Sequence, residues 1–317
     1  MFAAFFTTIL FSISAVCGNR AGKLLGGTQA NFWRLVIAAA VLAVYSHAIG
    51  VGVSGAAFVT FFISGCIGFG VGDQAWFQTL ARLGSRLAVM ITLCLSSPIA
   101  ALLEWLWFGT GLSTAEIVCA LVILAGVALA LAPGGQMKIG RRELITGLAF
   151  GSLAAICQAL GAVLSRKAFA LAQAADDSID GITAAYQRIL GGLVVSVLLL
   201  LWVKRQAIVG HVANANSSST GNGEAPVARW RQAWPWVVAN ALAGPALGVS
   251  FYQWALKTTP TGIVLPIVAI TPLVIIPFSY HLEGERPSRR SLAGGALAVC
   301  GAVVLAWVAN HGGTALP

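Results

Sequence analysis

The chain has 317 residues, of which 58% are hydrophobic and only 9% charged, with a formal net charge of +9. A soluble domain carries about 25% charged residues, so the polar surface needed to cover two soluble domains is missing and lipid is the implied solvent. Each backbone group left unpaired in hydrocarbon costs several kcal/mol, which excludes open sheets and irregular chain at depth. The apolar runs are continuous rather than alternating, which argues against a lipid-exposed barrel.

A helix needs about 20 apolar residues to cross the hydrocarbon. Ten stretches of that kind follow one another: 2–18, 30–49, 56–80, 86–108, 114–132, 144–164, 183–203, 235–255, 261–281 and 289–309. The first lacks the basic start of a secretory signal, since no lysine or arginine precedes Arg20, and it reads as a span. Punctuators such as Pro133-Gly134-Gly135 and Arg286-Pro287-Ser288 separate the runs. The longest polar segment, 204–232, contains an Asn/Ser/Gly/Thr tract over 214–223 and is expected to be a mobile loop. Asp176-Asp177-Ser178-Ile179-Asp180 matches the pattern of magnesium-diphosphate sites, but it stands alone in a connection and reads as a solvated loop. All six cysteines lie inside apolar runs with no Cys-x-x-Cys pair, as buried apolar side chains do, so no metal site is expected.

The basic residues are scattered over span ends, which speaks against nucleic acid as a partner. Fifteen of the 19 fall on the odd-numbered connections and their flanks and four on the even ones. Positive residues stay on the cytoplasmic side, so the odd connections are expected there and both termini outside.

An internal repeat runs through the chain. Gly68-x-x-x-Gly72 meets Gly244-x-x-x-Gly248, Trp76-Phe77-Gln78 meets Phe251-Tyr252-Gln253 in a register that pairs Gln78 with Gln253, and Pro98 meets Pro272. Phe32-Trp33-Arg34-Leu35 similarly meets Tyr186-Gln187-Arg188-Ile189, and Gly126 meets Gly301. Five helices are thus followed by five similar ones. Because five is odd, the halves enter the membrane from opposite faces, a construction typical of secondary transporters. The expected fold class is an all-α integral membrane protein, with ten transmembrane helices as two inverted five-helix repeats.

This arrangement resembles the ten-span EamA-type members of the drug/metabolite transporter superfamily. The likeness rests on Arg34 and Arg188 opening spans two and seven, on Pro98 and Pro272, and on the span-ending phrases 106–113 and 282–288. Those phrases are similar to the family's Leu-Gly-Glu-x-Leu-Ser signature: the second half keeps the acid as Gly284-Glu285, where the first has Thr110. The resemblance implies a five-helix repeat over 1–132, an inter-repeat loop at 133–143, a second repeat over 144–309 and a tail at 310–317. It also implies cytoplasmic termini, contrary to the charge count, and a small-molecule substrate, with amino acids and related compounds as one class. Further expectations are a monomer or homodimer in the plasma (inner) membrane, with no cofactor.

In inverted-repeat carriers the substrate sits near mid-bilayer, on helices interrupted by Gly or Pro. Gln78 and Gln253, with Trp76, Tyr252, Trp254 and Gln158 around them, are the candidate substrate-binding residues, since an amide offers both donors and an acceptor. The alternative for the glutamines is hydrogen bonding between helices. Asp73 and Glu104 are the acids read inside the membrane, hence candidates for proton coupling. Asp73 could instead pair with a basic neighbour near the interface, and Glu104 could reach water. Pro98 and Pro272 are candidate hinges or static kinks. No Gly-x-x-x-x-Gly-Lys-Ser/Thr phosphate cradle occurs, so a gradient or exchange would drive transport. The rival reading, an integral-membrane enzyme acting on a lipid-linked substrate, would need clustered intramembrane acids or histidines.

Overall fold

The computed structural model describes residues 2–108, 113–131, 140–213, 226–259, 261–284 and 288–311, and every element among them is helical. In chain order these are α1 (Phe2–Leu25), α2 (Gly27–Ala48), α3 (Phe58–Gly65), α4 (Asp73–Phe108), α5 (Thr114–Leu131), α6 (Arg141–Ala174) and α7 (Gly181–Ala213). They continue with α8 (Pro226–Ala241), α9 (Val249–Thr258), α10 (Thr261–Val268), α11 (Thr271–Glu283) and α12 (Arg289–His311). Among the described residues, five helical stretches are long and apolar enough to cross a membrane, and Ile117–Ala130 is a shorter apolar one. Large apolar side chains face outward, among them Val44, Val59, Leu121, Leu198 and Trp254, while Asn31, Arg34, Gln187, Arg188, Asn240 and Gln253 are buried. Such a distribution suits lipid outside and polar contacts within.

Two seven-residue π-helical segments interrupt the array, Cys66–Gly72 between α3 and α4 and Leu242–Gly248 between α8 and α9. A π turn is rare and typically marks a functional position. These two lie at a constant offset of 176 residues and end on the second glycine of each GxxxG pair. The repeat read from sequence thus has a conformational counterpart.

The apolar stretch Phe58–Ala100 is 43 residues long; a straight helix of that length would measure about 65 Å, twice the hydrocarbon. It turns back at Gly84, whose φ of 78° lies in the left-handed region that glycine adopts without strain. Gly68 and Leu93, which flank the turn, wall the same cavity. α4 is therefore two helical stretches that meet at Gly84, and the predicted spans 56–80 and 86–108 lie on either side of it.

Helices meet closely wherever glycine removes the side chain. Gly126-Val-Ala-Leu-Ala130 of α5 packs on Gly294-Gly-Ala-Leu-Ala298 of α12. A Cβ at Gly126 would lie 2.5 Å from the Ala298 nitrogen, and one at Gly294 would lie 2.5 Å from the Ala130 nitrogen. As the residue number rises on one helix it falls on the other, so the two run antiparallel. α3 and α7 are pressed together in the same way, at Gly65 against Arg188 and at Gly191 against Phe62.

Two expectations need correction. The polar segment 204–232 is not one loop: α7 runs on to Ala213 and α8 begins at Pro226. Proline is favoured at the first helical position, where its missing N–H would be unpaired anyway; residues 214–225 lie outside the described ones. The acidic run 176–180 is structural rather than merely solvated. Asp180 accepts from the Ile182 and Thr183 nitrogens at the start of α7 (2.8 and 3.0 Å), and Asp177 accepts from the Ala56 nitrogen at 2.8 Å.

Candidate functional site

A cavity lies where α1, α2, α4, α6, α7, α9 and both π segments converge. Its walls follow the repeat: Gly68, Phe69, Asp73 and Trp76 on one side, and Gly244, Pro245, Val249 and Tyr252 on the other, each pair 176 residues apart. Arg34 and Arg188 enter from α2 and α7, and each is the eighth residue of its helix.

The two arginines are held differently. Arg34, itself buried, forms an ion pair with the partly buried Asp73 and donates from Nε to Asn31 Oδ1 at 2.9 Å. Asn31 in turn donates to Ser196 Oγ at 3.1 Å, tying α2 to α7. The Arg34 guanidinium also lies over the Trp76 and Phe77 rings, at 5.5 and 5.1 Å. Arg188 is 3% exposed, has no ion-pair partner among the described residues, and leaves its Nε without an acceptor. Its guanidinium sits 5.2 Å from the Phe69 ring centre, in a slot opened by Gly68 and Gly161. A Cβ at those glycines would come within 3.0 and 2.9 Å of Nη2. Thr92 Oγ1, on the same wall, is likewise without a partner, and the Tyr252 hydroxyl faces Gln158. The rest of the lining is mostly apolar and aromatic, with Phe11, Val89 and Leu93 added to the rings already named.

Of the residues singled out from sequence, Asp73, Trp76, Gln158 and Tyr252 are gathered on this cavity. Gln78, Gln253 and Trp254 are not. Gln78 accepts from Arg82 Nη1 at 2.7 Å on its own helix, Gln253 is fully buried and donates to Ser165 Oγ at 3.2 Å, and Trp254 is 55% exposed on the outer face. The matched-glutamine register is one residue off, because the π segments and the cavity walls both align at 176 and so pair Gln78 with Trp254. One residue is about 100° of helix rotation, enough to carry a side chain off the cavity.

Pro98 lies within the second helical stretch of α4, beyond Gly84, whereas Pro272 stands in the first turn of α11, after a break at 269–270. Carbonyls around that break accept from side chains: Ile267 from Thr8 Oγ1 at 3.3 Å, Val268 from Thr271 Oγ1 at 2.5 Å, and Ala269 from Cys94 Sγ at 3.8 Å. The Glu104 side chain and Glu285 lie outside the described residues. Sequence reasoning used Arg34 and Arg188 only as markers and missed them as site residues. The available signal was an arginine placed inside each of the apolar stretches 30–49 and 183–203, where charge is costly.

A chain with this outward apolar surface, in which every described element is helical and charges converge on an interior cavity, is an integral, multi-pass membrane protein. The sequence profile of the EamA-like transporter family matches residues 1–132 and 145–307. The chain belongs to that family of membrane transporters. Its fold is similar to that of a solved crystal structure at a TM-score of 0.62 and 19% identity, covering 99% of this chain and 98% of the other; the likeness is one of fold. No curated protein matches it.

Proposed function

We propose that this protein is a secondary-active carrier, moving a small organic solute across the plasma (inner) membrane by alternating access. Ten spans in two inverted five-helix halves would rock about the shared cavity, with Pro98 and the break before Pro272 as hinges. The observation that carries this reading is the cavity itself, walled by equivalent positions of both halves next to two π-helical interruptions. Interrupted helices at corresponding places are where carriers bind their cargo. The antiparallel packing of α5 on α12 supports the inversion.

Counterflow into liposomes loaded with a metabolite panel tests the proposal; accumulation of no solute in the panel counts against it. Trp76→Ala and Gln158→Ala are expected to reduce transport at least tenfold, while Gln78→Ala should leave it within twofold. The reverse pattern would move the site away from this cavity.

Orientation has its own test. Arg34 and Arg188 are buried at the cavity rather than flanking a span. Without them the bias is fourteen basic residues on the odd connections against three on the even, which favours external termini. A C-terminal reporter is therefore expected outside, and a cytoplasmic signal would overturn that orientation.

A further inference from the structure

Resting on the carrier reading, we infer that the transported solute is an organic anion of one net negative charge, a monocarboxylate with an apolar body, whose carboxylate is seated on Arg188. The argument begins with broken symmetry. In the first half, the residue immediately after the π segment is Asp73, and it neutralises Arg34. In the second half, the equivalent residue is Val249, which packs in one apolar cluster with Ala185 and Ile189 on either side of Arg188 along α7. Among the described residues, no acid pairs with Arg188 as Asp73 does with Arg34, and Asp73 reaches Arg188 only through space.

An unpaired guanidinium in a buried site carries a desolvation cost of several kcal/mol, which a bound anion offsets. The glycine slot and the Phe69 ring fix the orientation of the group. The unpartnered Thr92 hydroxyl and the Tyr252 hydroxyl beside Gln158 supply further donors on the same wall. A planar guanidinium fork matches a carboxylate in bidentate fashion. Counting Arg34, Arg188 and Asp73, the lining holds one excess positive charge, which a single carboxylate balances; a phosphomonoester, at about −1.5 to −2 near neutral pH, would exceed it. Phe11, Phe69, Trp76, Val89 and Leu93 favour an apolar body.

The test measures binding to the detergent-purified full chain by ligand-induced thermal shift. The probes are acetate, butyrate, phenylacetate and indole-3-acetate, each against its own amide, with phenylalanine as the zwitterion. Carboxylates with an apolar body are expected to raise the melting temperature, and to bind at least tenfold more tightly than their amides and than phenylalanine. Arg188→Gln should abolish that preference. Because that variant could fold poorly, Val249→Asp supplies the missing acid with Arg188 left in place. It should weaken carboxylate binding at least tenfold without lowering the melting temperature of the free protein.

Equal binding of acid and amide by the parent, no binding of any acid, tighter binding of phenylalanine, or undiminished acid binding by Val249→Asp each overturns the inference. Transport is not needed for this readout. Charge-dependent binding without counterflow would therefore remove the carrier reading and leave the anion seat standing.

Discussion

Asp73→Asn is expected to abolish transport and to destabilise the protein by about 3–5 kcal/mol, the usual cost of removing one partner from a buried ion pair. The carboxylate is the ion-pair partner of Arg34, which is 4% exposed. Without it the cavity would hold two uncompensated guanidiniums. Much of the lost stability should return in the double variant Arg34→Met/Asp73→Leu, because apolar replacement of both partners removes the buried charge as well as the bond. Transport should not return with it. Unfolding of the purified protein, followed by circular dichroism, together with liposome counterflow, separates the two effects. A stable and inactive double variant is the expected result; an active one would strip the pair of any role in the transport cycle.

The second large effect is steric. A Cβ at Gly65 would sit 1.7 Å from the Arg188 carbonyl oxygen, so Gly65→Ala forces α3 and α7 apart along a backbone-to-backbone contact. Overpacking a well-filled core costs about 1–3 kcal/mol where side chains can give way, and here there is only backbone to move. The loss is expected to reach at least about 3 kcal/mol, at the severe end of single substitutions, and to displace Arg188 from its slot. Gly295→Ala is the matched control, since its Cβ would meet nothing nearer than Met90 Sδ at 3.9 Å. That variant should be neutral or slightly stabilising, as alanine favours the helix by about 1 kcal/mol over glycine. Similar melting temperatures for both variants would show that the α3–α7 contact is looser than the geometry requires.

Much of the architecture was legible because lipid makes composition and length decisive. Continuous apolar runs could only be helices, and the glycine pairs and prolines recurring in order revealed two similar halves. The site was legible only in part. Asp73 stands out because a carboxylate inside an apolar run is conspicuous, and Trp76 and Tyr252 because they belong to the repeated phrase; all three line the cavity. The glutamines were misassigned because identity was used to set the register. Gln78 and Gln253 look alike in sequence, yet the π segments insert their extra turn at 66–72 and 242–248, and it is that backbone feature which fixes the equivalent positions.

What the amino-acid sequence by itself determined was the solvent, the helical class and the doubling of the chain. Those follow from local hydropathy and from the need of every backbone group in hydrocarbon to find a partner within its own segment. What only the tertiary structure decided was which charges meet. Arg34 and Asp73 are 39 residues apart and form a pair, while Arg188 faces the same cavity with valine where an acid would be. Electrostatic energy depends on distance and burial in three dimensions, and one step of helix register settles whether a side chain lines the cavity or faces away from it.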